Sequence, residues 1–210
     1  MAARRRTSDD SSAQSLSHVV IAAGTPSEWL TFGVSEWATR IDDVLHGAAV
    51  GGARYITLRP YGGDELNPAD RESLFATIEE AVPIELVGAG VLQRGVWSAN
   101  SHITFIIDPT ASGQHRFAAV VDELRRRGCA PAEIDDEMLS NEMLSPATVE
   151  PDLVVVLGPP NELPASLVWE LAYSELVFLD FKWDDLSRNH LEIAVDDFHR
   201  RHRRFGGLDS

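Results

Sequence analysis

The run Asp152-Leu-Val-Val-Val-Leu157 constrains the fold of this chain more than any other stretch. Its aliphatic block is too short for a buried helix and too uniformly apolar for a strand with one wet face. It therefore predicts a strand covered on both sides, the usual environment of a parallel sheet. Shorter apolar runs at His18–Ala23, Ala53–Leu58, Ile84–Val87, Ile103–Ile107 and Leu176–Phe181 predict five more strands. Between them lie segments with helical spacing: Ser27–Leu45, Pro68–Ala81, Gln114–Arg127, Glu133–Ser145, Leu163–Tyr173 and Ser187–Arg204. Phe117, Val120, Val121 and Leu124 follow the i, i+3, i+4, i+7 rule, and Gly128 ends that helix. Ser187 is placed to cap the last helix, whose apolar stripe is Leu191, Ala194, Val195 and Phe198. Strands alternating with helices imply an α/β fold: a single domain with a mostly parallel six-stranded sheet flanked by helices. The domain is expected over 18–210. The Ser-, Asp- and Arg-rich residues 1–17 contain almost no large apolar side chain and are expected to form a disordered tail.

Composition narrows the function classes. The net charge of −15, from 33 acidic and 18 basic residues, argues against nucleic acid as a partner. The single cysteine, Cys129, excludes an intramolecular disulfide and a cysteine-cluster metal site, and reads as an ordinary free thiol. Apolar runs are of strand length, so no transmembrane segment is expected, and the basic start Met1–Arg6 has no apolar core behind it as a secretory signal would. A cytoplasmic protein is expected. His102, His115, His190, His199 and His202 show no metal-ligand pattern; His199 and His202 fall one helical turn apart without a third ligand. The Gly62-Gly63 and Gly88–Gly90 clusters read as loops. His18 reads as a strand-edge residue, Trp169, Tyr173 and Phe178 as core, and Glu175 as a structural or interface carboxylate.

The final third carries a more specific pattern. Asp152-Leu-Val-Val-Val is followed by Leu167-Val-Trp-Glu-Leu-Ala-Tyr-Ser-Glu-Leu-Val-Phe178, then Trp183, an amphipathic helix and Arg203-Arg-Phe-Gly-Gly207. This order and spacing resemble the carboxy-terminal part of the cis-prenyltransferases, the undecaprenyl diphosphate synthase family. His18-Val-Val-Ile21, Trp29 and Tyr55-Ile-Thr-Leu58 resemble its opening strands, while Val87–Glu150 matches weakly. The resemblance implies a cis-prenyltransferase-like fold and chemistry in which isopentenyl diphosphate attacks an allylic diphosphate, both being neutralised by Mg²⁺ and arginines.

Against that family's motifs the chain departs at the reacting centre. Where the family places its metal aspartate, in Met-Asp-Gly-Asn-x-Arg-Trp, this chain has Ala23-Gly24-Thr25-Pro26-Ser27-Glu28-Trp29. Gly24 offers no metal ligand, and Glu28 reverses the charge of an arginine. Tyr61-Gly-Gly-Asp-Glu-Leu66 replaces Phe-Ser-x-Glu-Asn-Trp, and the two arginines and a serine expected to clasp isopentenyl diphosphate stand as Val156, Glu162 and Pro164. Only Asn67–Pro83 separates the second and third strands, enough for one docking helix and none to wall a tunnel. The terminal Arg-x-Gly survives as Arg204, Phe205 and Gly206.

In heteromeric members of the family, such as the complex containing the Nogo-B receptor, a subunit without its own site keeps this tail and extends it to the partner's diphosphate. The resemblance therefore implies a degenerate, Nogo-B receptor-like accessory subunit, inactive alone, with no catalytic or metal-binding residues of its own. Arg204, Phe205 and Gly206 would bind substrate in trans. A catalytic cis-prenyltransferase subunit would be the partner and hold Mg²⁺, with isopentenyl and allylic diphosphates reached through the heterodimer, and membrane contact peripheral through the complex. The later strands, with Leu163–Tyr173 and Ser187–Arg204, would form the interface. Two other readings stay open: a divergent active prenyl diphosphate synthase using Asp64, Glu65 or Glu175 for metal, and a decayed homologue serving as a binding or scaffold protein.

Overall fold

The computed structural model describes residues 16–99, 102–160, 162–172 and 174–205. Seven strands form one sheet: β1 (His18–Ala22), β2 (Tyr55–Arg59), β3 (Glu85–Val87), β4 (Arg94–Ser98), β5 (Thr104–Ile107), β6 (Leu153–Leu157) and β7 (Glu175–Leu179). Their order is β3-β4-β5-β2-β1-β6-β7. β5, β2, β1, β6 and β7 run parallel, while β4 runs antiparallel to both its neighbours. The sequence reading gave six strands; β4 is the additional one. Its inward residues include Arg94 and its second residue is Gly95, so the apolar alternation that marks a strand is broken.

Six α-helices flank the sheet: α1 (Pro26–Thr31), α2 (Val34–Ala49), α3 (Pro68–Ala81), α4 (Gly113–Arg126), α5 (Asp136–Leu144) and α6 (Arg188–Phe205). The segment expected as one helix over Ser27–Leu45 divides at Phe32 and Gly33, both in extended conformation. α1 starts in a capping box between Thr25 and Glu28, with Pro26 in the first turn. Asn67 caps α3, and Ser112 caps α4.

The main core packs α1, α2, α3 and α6 on one face of the sheet, against Val19, Ile21, Leu58, Phe105 and Val155. The other face presents Val20, Ala22, Val154 and Val156, met by Leu167, while Val120, Leu124 and Met143 pack α4 against α5. α3 docks through Leu74, Phe75 and Ile78 as expected, yet its outer stripe also walls a cleft of about 700 Å³.

Three further expectations need correction. His18 opens β1, an interior strand between β2 and β6, and is 1% exposed, not at an edge of the sheet. Leu16 is fully buried near Gly51 and the Ser17 amide donates to Asp152 at 2.6 Å, so these two residues of the expected tail are packed, while 1–15 lie outside the described residues. Leu163–Tyr173 is not a helix but a series of turns, with Tyr173 outside the described residues. Ser166 and Glu170 turn inward instead, the Ser166 carbonyl accepting from Arg59 at 2.7 Å. Of the expected core aromatics, Trp169 and Phe178 are half-buried, and Trp169 stacks on Phe117 at 6.0 Å.

Candidate functional site

In an open parallel sheet, ligands bind beyond the carboxyl ends of the strands where the chain order reverses direction. Here that point lies between β1 and β6, because β2 is laid on one side of β1 and β6 on the other. The loops leaving these strands, Gly24-Thr25 and Gly158-Pro159, border a cleft of about 490 Å³ closed by Tyr61 and Trp183. Gly24 has φ +63°, and a Cβ built on it would lie 2.9 Å from Cγ of the Trp183 indole. At Gly158 a Cβ would lie 2.7 Å from the Tyr61 ring. Both glycines are thus covered by aromatic rings.

Trp183 is held from several sides. Phe32 stacks on it at 5.7 Å, Trp29 and Trp37 each lie 6.1 Å away, and the Arg40 guanidinium sits 5.0 Å from its ring centre. Arg40 is fixed in turn by the carbonyls of Asp184, at 2.9 Å, and Leu186. Charge in the cleft also opposes a diphosphate: Glu28, Asp180 and Asp185 line it with Lys182, and no arginine does. Glu28 is occupied locally, accepting from the Thr25 amide at 2.7 Å. Val156 is fully buried in β6, Pro164 is buried, and Glu162 is exposed, with its carbonyl accepting from the Tyr61 hydroxyl at 3.3 Å. Mg²⁺ does not fit this site. A carboxylate at Gly24 would collide with Trp183, and among the described residues no three His, Cys, Asp or Glu side chains converge to hold a metal.

Of the tail residues expected to bind substrate, Arg204 and Phe205 belong to the last turn of α6. Their side chains, and Gly206 entirely, lie outside the described residues. Within the same basic cluster, Arg201 donates to the Leu176 carbonyl at 3.0 Å and Arg200 to its own helix at Asp196. Asp64 is exposed, and Glu65 lies in the separate cleft along α3.

The sequence reading missed a buried ion network on the opposite face of the sheet. Asp108 Oδ2 accepts from Arg59 and Arg116, both at 2.9 Å, and lies 3.4 Å from Arg94 Nε. Glu170 Oε1 lies 3.1 Å from Arg59 and 3.6 Å from Arg116. Burial alone would push the Asp108 carboxyl up, but Arg59, Arg94 and bonds from Thr110 hold it below its usual range. Burial likewise lowers Arg94, whereas Glu170 and Asp108 outweigh burial and raise Arg59. A signal was available: Thr57 and Arg59, Ile106 and Asp108 occupy alternate positions, which places each charge on an inward register.

His18 borders this network. Its Nδ1 donates to the Val149 carbonyl at 3.0 Å, so Nε2, 2.9 Å from Thr57 Oγ1, is left to accept. Burial lowers its pKa to about 4, against raising contributions from Val149, Glu170 and Asp152. The unfolded chain therefore takes up this proton first, and His18 makes stability fall as pH drops from 6.5 toward 4. The expected loss over that window is about 3 kcal/mol. Urea unfolding at stepped pH should show it, and His18→Gln should flatten this window while leaving losses below the ordinary carboxylate range, where Asp108 protonates. An unchanged slope in His18→Gln would refute the assignment.

Comparison with known proteins agrees with the architecture. The sequence profile of the family described as "Putative undecaprenyl diphosphate synthase" matches residues 96–206. "Isoprenyl transferase 2" of Bradyrhizobium diazoefficiens is 35% identical over 113 residues, 52% of this chain and 45% of that protein. The Escherichia coli K12 ditrans,polycis-undecaprenyl-diphosphate synthase is 32% identical over 90 residues, 43% of this chain and 36% of that enzyme. The matched segments thus span less than half of these relatives. Among solved structures, lavandulyl diphosphate synthase of Lavandula x intermedia superposes with a TM-score of 0.59 at 12% identity, covering 88% of this chain and 95% of that one. A probable undecaprenyl diphosphate synthase of Campylobacter jejuni gives 0.57 at 12% identity, over 91% and 98%. With the profile spanning more than half its length and the same fold beneath it, the chain belongs to the undecaprenyl diphosphate synthase family of prenyltransferases.

Proposed function

We propose that this chain is a non-catalytic, Nogo-B receptor-like accessory subunit of a heteromeric cis-prenyltransferase, extending Arg204, Phe205 and Gly206 to the isopentenyl diphosphate site of a catalytic partner. The observation that carries the reading is Gly24, where the family places its metal aspartate: a Cβ there would come within 2.9 Å of the Trp183 indole, so no carboxylate fits. The direction of α6 supports it. The helix starts near Trp183 and descends about 20 Å to the start of β7, where Arg201 bonds Leu176, so its end points away from the chain's own switch point. Mg²⁺, isopentenyl diphosphate and the allylic diphosphate are then handled in the partner. The pairing surface includes β7, α6 and the 162–172 turns, where Leu163 and Val168 are 57% and 45% exposed. Among the described residues no helix is long and apolar enough to cross a membrane.

The names of the relatives favour a second reading, an active isoprenyl transferase. One experiment separates the two. The purified chain, a catalytic homologue and their mixture are assayed for Mg²⁺-dependent incorporation of labelled isopentenyl diphosphate, with the mixture also sized by chromatography and light scattering. The expected result is no elongation by this chain alone and a heterodimer more active than the homologue. Elongation by the chain alone would establish the second reading, and separate peaks with every catalytic homologue would overturn the first.

Within such a complex, Arg204→Ala should leave assembly intact, because among the described residues the last side chain of α6 buried in the core is Phe198. It should lower isopentenyl diphosphate kcat/KM tenfold to a hundredfold, about 1.5–3 kcal/mol. Arg204→Lys should recover only part, since an ammonium lacks the two-pronged donor geometry. Arg200→Ala, whose guanidinium bonds its own helix, is the neutral control. Unchanged kinetics in Arg204→Ala would mean that the tail is a relic.

A further inference from the structure

The cleft along α3 belongs to neither the switch point nor the buried ion network. Its volume, about 700 Å³, is that of a small-molecule site. Phe75 and Ala76 of α3 line it together with Leu86 and Val91, and Leu86 is 46% exposed. Glu65 stands at one end. Its Oε1 accepts from the Ser112 amide at 2.9 Å, which fixes the carboxylate, while Oε2 is buried without a hydrogen-bond partner. Arg71 is the cation nearest to that oxygen, at 3.9 Å, beyond hydrogen-bond reach, and its Nη1 is engaged by the Gln93 carbonyl at 3.3 Å. His115 Nδ1 lies 3.7 Å from Oε1.

Glu72 and Glu79, two turns apart on α3, add negative charge along the same wall. Three carboxylates against one guanidinium repel a phosphate or carboxylate head and attract a cation. A buried carboxylate oxygen lacking a donor favours a head group that carries N–H. From Arg71 to Glu79 the helix rises about 12 Å, enough for an alkyl chain of intermediate length beside Phe75 and Ala76.

We propose that this cleft binds a free amphiphile with a primary ammonium head and an alkyl body, the ammonium donating to Glu65 and the chain lying between α3 and Leu86. The site is independent of the accessory-subunit reading. Decylammonium chloride, kept below its micellar concentration, is titrated calorimetrically into the full chain beside decyl phosphate and decyltrimethylammonium. Saturable one-to-one binding of decylammonium is expected. Decyl phosphate should bind at least about tenfold more weakly for its charge, and the trimethyl analogue more weakly for want of N–H. Glu65→Gln keeps an oxygen for the Ser112 amide and should weaken decylammonium about tenfold. Ala76→Trp, at an exposed position lining the cleft, should abolish binding without changing the unfolding midpoint. Decyl phosphate binding as tightly as decylammonium would overturn the proposal. So would decylammonium binding untouched by both substitutions.

Discussion

Asp108→Ala is expected to cost about 3–5 kcal/mol of folding stability, a large share of what a domain of this size possesses. One carboxylate oxygen meets Arg59 and Arg116 at 2.9 Å, with Arg94 at 3.4 Å, and all four side chains are at most 6% exposed. Removing it leaves three buried guanidinium groups beside one buried carboxylate, Glu170, with no solvent to screen them. The Thr110 amide, which donates to Asp108 Oδ1 at 3.1 Å, also loses its acceptor. The loss should appear as a lower urea midpoint at unchanged m-value, near neutral pH. Adding Arg94→Met should recover part of it by removing one uncompensated cation, although two carbonyls, of Glu142 and Met143, then lose their donor. A cost below about 1 kcal/mol for Asp108→Ala would mean that the network carries no net pairing energy.

The same network explains which parts of the fold could be read from sequence. β1 and β6 are legible because their residues are nearly all apolar, and burial on both faces demands little else, while β2 is legible from Ile56 and Leu58 on its core face alone. β4 is not, because Arg94 and Gly95 open it, and the charge at Arg94 becomes tolerable only beside Asp108, the residue that follows the neighbouring strand β5. No local window contains that pairing. Leu163–Tyr173 fails for the complementary reason: Leu163, Leu167 and Leu171 have helical spacing, yet Leu163 is exposed while Leu167 fills the opposite face of the sheet. The site was half legible. Gly24 and Glu28 could be set against a motif, but the indole that covers Gly24 comes from beyond β7 and is positioned by α1 and α2. The cleft along α3 was missed because loop length counts the residues available, not the gap left between a docked helix and a short edge hairpin.

Trp183→Ala and Gly24→Asp should prove strongly non-additive. Trp183 is 3% exposed and lies among Trp29, Phe32 and Trp37, so its truncation is expected to cost about 3–5 kcal/mol. Gly24→Asp alone should cost about 1–3 kcal/mol, part from a side chain at φ +63° and part from the contact with the indole. In the Trp183→Ala background most of the second part is relieved, because the ring atoms at 2.9 and 3.0 Å from the new Cβ are absent and only the Cβ of position 183, at 3.1 Å, remains. The double variant should therefore be more stable than the sum of the single losses predicts, by about 1–2 kcal/mol. Strict additivity in urea unfolding would show that Trp183 does not close the position. Neither the single nor the double variant should gain Mg²⁺-dependent chain elongation, since Val156 and Glu162 still stand where the family's arginines would clasp the diphosphate. The aromatic cover and the missing charges are separate obstacles. The first is removable by one truncation; the second would require an arginine in place of Val156, whose side chain is fully buried in the sheet interior.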